Sequence, residues 1–289
     1  MKPAPFTYHN PKTILEAVAL LGTLDNAKLL AGGQSLVAML NMRYAMPDNI
    51  VDLNDVEGLA GIELRGNALY IGAMTRQRDV ETSPVVKTHC PLLVEALANV
   101  GHRQTRNRGT IGGSLCHLDP AAELPTVAMA MEATISVLGK QGTREVAMAD
   151  FPLGYMTPAI EPDEIVTGVL LPLWPKAHGY AFVEFARRHG DFAVVGVAAL
   201  LGVDAGGRIS RACITLCGVG ARPTRLAEAE KALVGAAAGP DAFRAAAAHA
   251  GAIDAMEDVH ASKSYRQQLA ATLAERALVT ALDRAVRTT

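Results

Sequence analysis

The chain has 289 residues, of which 50% are hydrophobic and 19% charged, so it is long enough to form two domains with buried cores. Its formal net charge of −2 argues against a nucleic-acid partner, because proteins that bind nucleic acids carry a basic face. No apolar run reaches the roughly 18 residues that a membrane span needs, and the N-terminus lacks the apolar stretch of a signal peptide. These features predict a cytoplasmic protein without a membrane span.

The cysteines and histidines predict no metal site in this chain. The four cysteines are scattered without a C-x-x-C pair, and the eight histidines show no H-x-x-x-H spacing. Cys213 and Cys217 lie in a stretch that predicts a strand, where both would share one face as core residues. We therefore expect reduced thiols rather than disulfides or metal ligands.

The first 53 residues predict an alternation of helices and strands. Thr13 and Glu16 have the spacing of a capping box, and Gly22 is a stop signal, so the first helix is predicted over 13–22. A buried strand that ends in a turn is predicted over 27–33, a helix over 35–44, and a strand over 49–53. This alternation is typical of an α/β element.

The middle of the chain predicts a hairpin, several helices and three strands. The hairpin covers 61–75, with two alternating runs on either side of Gly66-Asn67. The prolines and glycine of 171–179 mark the best domain boundary. Helices are predicted over 75–86, 90–101 and 123–133, and strands over 134–139, 144–151 and 163–173.

Three antiparallel strands are predicted beyond this boundary, over 180–188, 191–204 and 208–220. The alanine-rich remainder predicts helices, the last of them over 264–286 with leucines along one stripe. A sheet followed by helices indicates an α+β domain.

Two glycine motifs, AGGQS at 31–35 and GTIGGS at 109–114, are the most informative local features. Glycine can adopt positive φ, which lets successive N–H groups converge on an anion, and a following helix adds further free N–H groups. An ordinary strand–turn–helix connection would have the same composition. The G-x-G-x-x-G and P-loop motifs are missing, so two separated motifs favour a long, two-part ligand such as FAD.

Two acidic residues follow the second motif. Asp119 and Glu123 are of the type that accepts hydrogen bonds from ribose or ribitol hydroxyls next to a phosphate site. Asp119 before Pro120 also has the pattern of a helix N-cap with proline at the first position.

The pair AGGQSL and RNRGTIGGSLCHLDPAAELP resembles the FAD-binding medium subunits of the molybdenum hydroxylases, the xanthine dehydrogenase and carbon monoxide dehydrogenase family. The resemblance covers nearly the whole chain, through YIGAMT, EPDEIVTGVLLP, RRHGDFAVVGVAA and the C-terminal SYRQQLAATLAERAL. It implies an α+β fold: a PCMH/VAO-type FAD-binding domain at 1–176, with subdomains at about 1–56 and 57–176, and a C-terminal domain at 177–289.

The resemblance also implies which residues contact FAD. Ser114 and Glu184 depart from the family, in which many members have Asn and Lys; a glutamate cannot stabilise a reduced, anionic flavin as a lysine would. Arg187 and Arg188 are candidates for that task, and Phe192 is placed against one face of the flavin ring. The implied contacts are Leu29, Leu30, Ala31, Gly32, Gly33, Gln34, Ser35, Leu36, Val100, Thr110, Ile111, Gly112, Gly113, Ser114, Asp119, Glu123, Val166 and Phe192.

The resemblance implies two partner subunits, in a dimer of heterotrimers. A large subunit would carry a molybdenum–molybdopterin cytosine dinucleotide and hydroxylate an aldehyde or an N-heterocycle. A small subunit would carry two [2Fe–2S] clusters and pass electrons to the FAD of this chain. In that arrangement this chain needs no catalytic side chain of its own, and no nucleophile motif such as G-x-S-x-G is present.

Two alternatives remain open from the sequence. A free-standing flavin oxidase of the same fold would turn over a substrate alone, although the chain leaves little room for a substrate domain. A scaffold that has kept the fold and lost the redox role would purify without flavin.

Overall fold

The N-terminal part of the chain is a small parallel sheet covered by helices. The structure is a computed structural model and describes residues 1–288. The elements of this part are β1 (Thr7–His9), α1 (Ile14–Leu21), β2 (Ala27–Leu30), α2 (Leu36–Asn41) and β3 (Asn49–Asp52). The strands pair in parallel in the order β1-β3-β2, which agrees with the predicted alternation.

The two helices of this part show which local predictions were accurate. The capping box of α1 is present: Thr13 Oγ1 accepts from Glu16 N at 3.2 Å, and Glu16 Oε2 accepts from Thr13 N at 3.1 Å. The predicted end of the second helix was wrong, because α2 ends at Asn41. Arg43 adopts a φ of +57°, a left-handed conformation that does not continue an α-helix.

A five-stranded antiparallel sheet forms the second layer. Its strands are β4 (Ile62–Arg65), β5 (Ala68–Gly72), β6 (Thr134–Gly139), β7 (Gly142–Ala147) and β10 (Ile165–Pro172), while β8 (Pro152–Gly154) and β9 (Thr157–Pro158) form a separate ribbon. The strand order is β4-β5-β10-β6-β7. The predicted hairpin is confirmed, since Gly66 takes a φ of +58° in the turn between β4 and β5.

Six short helices lie between β5 and β6. The helix predicted over 75–86 is divided in two at Pro84, whereas the helix predicted over 90–101 forms one helix that begins at Pro91 and ends at Leu97. The helices are α3 (Gln77–Thr82), α4 (Pro84–His89), α5 (Pro91–Leu97), α6 (Arg103–Arg108), α7 (Ile111–His117) and α8 (Glu123–Ala130).

The C-terminal part is an antiparallel sheet followed by helices, as predicted. Its elements are β11 (Gly179–Ala186), β12 (Ala193–Val203), β13 (Ile209–Cys217), β14 (Thr224–Arg225), α9 (Ala227–Leu233), α10 (Pro240–Gly251) and α11 (Lys263–Thr288). The strands follow one another in the order β11-β12-β13-β14. None of the helices within residues 1–288 combines the length and the apolar character needed to cross a bilayer.

The two faces of this sheet are buried against different partners. Val197 and Ala199 of β12 share a core cluster with residues of α10 and α11. Ala198 points the other way, into a cluster that includes residues of α8. Cys213 and Cys217 also belong to this second cluster, which confirms that they share a face. The sheet therefore lies between α8 on one face and the C-terminal helices on the other.

One buried arginine fixes α11 on the sheet. The guanidinium of Arg266 is only 3% exposed, and its Nη1 donates to Val194 O at 2.5 Å and to Gly218 O at 2.6 Å. Its Nη2 donates to Asp258 Oδ2 at 2.7 Å. These bonds neutralise the buried charge and satisfy two carbonyls at the ends of neighbouring strands.

We predict that Arg266→Met lowers the free energy of unfolding by about 3 kcal/mol, because the apolar side chain leaves two carbonyls and a carboxylate without their donor. Urea denaturation of the full-length chain measures this change. Arg276→Met is the matched control, since Arg276 is exposed on the same helix and its replacement should cost less than about 0.5 kcal/mol. Equal losses for both variants would contradict the assigned role of Arg266.

Candidate cofactor-binding site

The first glycine turn, residues 31–35, connects β2 to α2 and presents free backbone donors. Gly33 takes a φ of +74°, which turns the chain sharply at the end of the strand. The N–H groups of Gly33, Gln34, Ser35 and Leu36 donate no hydrogen bond to any other group of residues 1–288. The hydroxyl of Ser35 makes no cap bond to α2. Four donors and a hydroxyl are thus available at one place to bind an anion.

The second glycine segment, residues 109–114, differs from the expectation for it. Its two adjacent glycines lie inside the first turn of α7, and the N–H groups there already have acceptors. Ile111 N donates to Thr75 O at 3.1 Å, Gly112 N to Ala73 O at 2.8 Å, and Gly113 N to Thr110 Oγ1 at 3.1 Å. The expectation that this segment offers converging N–H groups to an anion was therefore wrong.

Close packing explains the glycines of the second segment. A Cβ at Gly112 would lie 2.6 Å from Ala73 Cβ, and a Cβ at Gly113 would lie 2.7 Å from Thr110 Oγ1. The same Cβ at position 113 would be 3.5 Å from Ala31 Cβ, in the first glycine turn. At these glycines the second segment thus presents a wall of backbone atoms to the first glycine turn.

The two glycine elements touch through their backbones. A Cβ at Gly32 would overlap Arg108 O and lie 2.8 Å from Gly109 Cα, so only glycine fits at position 32. The structure therefore brings together two motifs that are about 80 residues apart in the sequence.

Two polar residues that the sequence analysis did not select connect these elements. Arg76 Nη1 donates to Arg108 O at 2.7 Å, and Arg76 Nη2 donates to Asn54 Oδ1 at 2.7 Å. Asn54 Nδ2 in turn donates to Ala31 O at 2.9 Å. These residues follow the predicted strand at 49–53 and the motif YIGAMT, but no spacing rule relates them to each other.

The two acidic residues behind the second segment have different surroundings. Asp119 does not cap α8, which was one of its two expected roles: the N-cap of that helix is Ala122. Instead, Asp119 Oδ1 accepts from Ala121 N at 2.8 Å and stabilises the connecting turn. Glu123 begins α8 and is 7% exposed. Burial, together with the charges of Glu184 and Asp119, raises the pKa of Glu123 to about 8.

A second buried carboxyl faces α8 from the C-terminal sheet. Glu184, Gly196 and Cys217 are register neighbours on three adjacent strands. A Cβ at Gly196 would lie 2.6 Å from Cys217 Sγ, so glycine leaves the space between the two other side chains open. Glu184 Oε2 is buried without a hydrogen-bond partner in residues 1–288, and burial raises the pKa of Glu184 to about 7.

The loop between β11 and β12 places Phe192 at the edge of this region. Phe192 is 72% exposed at the beginning of β12, an unusual exposure for an aromatic ring. Gly190 takes a φ of +86°, and a Cβ there would lie 2.5 Å from the His102 ring. The loop therefore packs against His102, the residue before α6, and the ring of His189 lies tilted to that of His102 with 6.5 Å between the ring centroids.

The remaining predicted contacts lie around this core of the site. Leu29 and Leu30 are half-buried on β2, and Val100 is half-buried before α6. Val166 is 4% exposed on β10 and belongs to the hydrophobic core. Arg106, which precedes the second segment, is buried and its Nε pairs with Glu81 Oε2 at 3.0 Å.

A cleft of about 480 Å³ lies elsewhere, between Glu132, Arg222 and Arg225. Its cations are already engaged: Arg225 pairs with Glu132 at 2.7 Å, and Arg222 Nη1 donates to Pro152 O at 3.3 Å. Within residues 1–288, no three His, Cys, Asp or Glu side chains are grouped so that they could hold a metal ion. The first glycine turn remains the best anion site.

An anionic two-part cofactor fits the residues of this region. The first glycine turn supplies free N–H donors, the adjacent glycines of the second segment supply a wall of backbone atoms, and Phe192 supplies an exposed ring. Carboxyl groups that can accept hydrogen bonds lie behind the wall.

Comparison with known families assigns both parts of the chain. Residues 4–174 match the family described as the FAD binding domain in molybdopterin dehydrogenase. Residues 180–281 match the family described as the CO dehydrogenase flavoprotein C-terminal domain.

Similar proteins match over nearly their full length. The chain is 42% identical over 288 residues to the 6-hydroxypseudooxynicotine dehydrogenase complex subunit alpha of Paenarthrobacter nicotinovorans, covering 99% of this chain and 97% of that protein. It is 36% identical over 289 residues to the caffeine dehydrogenase subunit beta of Pseudomonas sp. strain CBB1, covering 99% and 98%.

A solved structure has the same fold. A chain of the carbon monoxide dehydrogenase from Hydrogenophaga pseudoflava, in a form that lacks the Mo-pyranopterin moiety of the molybdenum cofactor, superimposes with a TM-score of 0.95. It is 39% identical, and the match covers 98% of this chain and 99% of that one. The chain therefore belongs to the family of FAD-binding medium subunits of the molybdenum hydroxylases.

Proposed function

We propose that FAD binds along the first glycine turn, beside its contact with the second glycine segment, and that this chain carries electrons from the [2Fe–2S] clusters of a small subunit to an external acceptor. The free N–H groups of residues 33–36, inside the matched FAD-binding region, are the observation that carries this assignment. FAD supplies the electron-carrying chemistry when bound. The residues of this chain bind it, orient it and exclude water.

The roles of the residues follow from their positions. The N–H groups of the first glycine turn hold the pyrophosphate, and Ser35 adds a hydroxyl. Glu123, whose carboxyl is neutral below its pKa of about 8, binds the hydroxyls of the cofactor in this protonated form, and Phe192 covers one face of the flavin ring. The proposed contacts are Leu29, Leu30, Ala31, Gly32, Gly33, Gln34, Ser35, Leu36, Val100, Thr110, Ile111, Gly112, Gly113, Ser114, Asp119, Glu123, Val166 and Phe192.

The proposed complex is a cytoplasmic dimer of heterotrimers. In it, a large subunit with a molybdenum–molybdopterin cytosine dinucleotide hydroxylates an aldehyde or an N-heterocycle. The names of the two relatives support the N-heterocycle, since caffeine and 6-hydroxypseudooxynicotine both contain one. The substrate contacts themselves belong to the large subunit.

The first prediction concerns the native complex. Purified from its host, this chain should accompany one larger and one smaller chain, and the absorption spectrum should show flavin bands over broad iron–sulfur absorption. A gel and a spectrum of the same fraction test this. Flavin on this chain alone, with full turnover of a substrate, would instead indicate a free-standing flavoenzyme.

The second prediction concerns the backbone contact of the first glycine turn. Gly32→Ala places a methyl group against Arg108 O and must push the two glycine elements apart, so FAD affinity should fall by roughly a hundredfold or more. Fluorescence titration of the full-length apo chain with FAD measures this. Gly154→Ala is the matched control, because a Cβ there meets no atom within 4 Å. Similar affinities for both variants would exclude a site at this contact.

The third prediction concerns pH. The raised pKa values of Glu123 and Glu184, about 8 and about 7, mean that both carboxyls ionise between pH 6 and pH 9. Ionisation adds negative charge near an anionic cofactor, so FAD affinity should fall as pH rises. A fall of roughly threefold to tenfold corresponds to a pKa change on binding of about half to one unit.

Titrations with FAD at pH 6 and pH 9 test this dependence. Glu184→Gln removes one of the two charges and should flatten the pH profile, whereas Glu145→Gln, at an exposed position on β7, should leave the profile unchanged. If the pH dependence of FAD affinity is the same in wild type and Glu184→Gln, the ionisation of Glu184 does not affect FAD binding.

A further inference from the structure

The residues that follow β5 form backbone hydrogen bonds with the second glycine segment. Gly112 N donates to Ala73 O at 2.8 Å, and Ile111 N donates to Thr75 O at 3.1 Å. In the other direction, Gln77 N donates to Gly109 O at 2.9 Å. Arg76 lies opposite Thr110 in this antiparallel pairing. Its backbone is therefore fixed to the second segment, and only its side chain is free to reach another element.

The side chain of Arg76 reaches toward the first glycine turn. One nitrogen of its planar guanidinium donates to Arg108 O at 2.7 Å and the other to Asn54 Oδ1 at 2.7 Å. Asn54 extends this chain of hydrogen bonds to the first glycine turn, since its Nδ2 donates to Ala31 O at 2.9 Å. Asn54 is itself held by Asp52, whose Oδ1 accepts from Asn54 N at 2.9 Å. The side chains of Arg76 and Asn54, which we term the brace, thus link the two glycine elements.

The brace also changes the charge at the contact. Arg108 O lies directly against Gly32, so the negative end of a peptide dipole is next to the proposed pyrophosphate position. A carbonyl there would repel an anion. The positive guanidinium of Arg76 binds this oxygen and offsets its negative charge.

We infer that Arg76 and Asn54 are positioning residues for the cofactor: the brace holds the first glycine turn at the right distance from the second segment and neutralises the carbonyl between them. This inference rests on the proposed FAD site. Neither residue needs to touch FAD. Their effect passes through Ala31 O, in the turn that would hold the pyrophosphate, and through Arg108 O, in the peptide that leads into the second glycine segment.

Replacement of either residue should weaken FAD binding. We expect Arg76→Gln and Asn54→Ala each to raise the Kd for FAD by roughly tenfold to fiftyfold, because either change breaks the same chain of hydrogen bonds. The double variant should be little worse than either single variant, since interactions in one network are not additive. Arg76→Lys keeps the positive charge but loses the two separate donor nitrogens of the guanidinium. Its FAD affinity should therefore lie between those of wild type and Arg76→Gln.

The measurements use the full-length apo chain and two probes. Quenching of FAD fluorescence gives the Kd for FAD, and competition by ADP, which has the pyrophosphate without the flavin, tests whether the effect is at the pyrophosphate. ADP should lose affinity by a factor similar to that for FAD. Arg244→Gln, at an exposed arginine on α10, is the matched control. Thermal unfolding of each apo variant shows whether the fold itself has changed.

Each outcome separates the brace from the proposed site. Wild-type chain that binds neither FAD nor ADP would refute the proposed function. Tight wild-type binding with unchanged Kd values in the Arg76 and Asn54 variants would refute the brace alone. Additive losses, with no recovery in Arg76→Lys and an equal fall in apo stability, would mean that the two residues act only on the fold, and this also overturns the inference.

Discussion

The direct contact of Gly32 with the Arg108–Gly109 peptide is the constraint on which the site depends. Because no side chain fits between them, the site is formed mainly by backbone atoms, and their positions are set by the strands that lead into it. The first glycine turn follows β2, while the second segment is paired with the exit of β5. The three-stranded parallel sheet and the five-stranded antiparallel sheet therefore have to be positioned accurately relative to each other for one ligand to bind.

Features that depend on neighbouring residues were predictable from the sequence. The capping box at Thr13, the hairpin at Gly66 and the shared face of Cys213 and Cys217 each follow from a spacing of at most four residues. The two glycine motifs were also recognised as a pair from their composition, and their resemblance to a family then specified the residues that contact FAD.

Features that depend on distant partners were not predictable. The N–H groups of Ile111 and Gly112 bind carbonyls of residues 75 and 73, so the second motif acts as a packing surface although its composition is that of an anion site. Arg76 and Asn54 are 22 residues apart, and nothing in their local sequence indicates that they are connected. The end of α2 was missed because a left-handed arginine has no sequence signature.

The hydrophobic core extends across the predicted boundary between the two parts of the chain. One cluster contains Leu69 and Ile135 of the second sheet together with Ala198 and Cys213 of the C-terminal sheet. Neither part can be removed without exposing an apolar surface of the other. Beside this shared core, burial raises the pKa of Glu123 to about 8 and that of Glu184 to about 7, so the charge at the boundary between the two parts changes near neutral pH.

The bonds of Arg266 connect the last helix to the beginning of β12. This side chain binds Val194 O, two residues from Phe192 along the chain. Since β12 begins at Ala193, the anchor and the exposed ring lie on the same stretch of backbone. A helix with no residue among the proposed contacts thus fixes the beginning of the strand that follows the aromatic ring. A version of this chain shortened before α11 would lose that anchor along with the cover of its sheet.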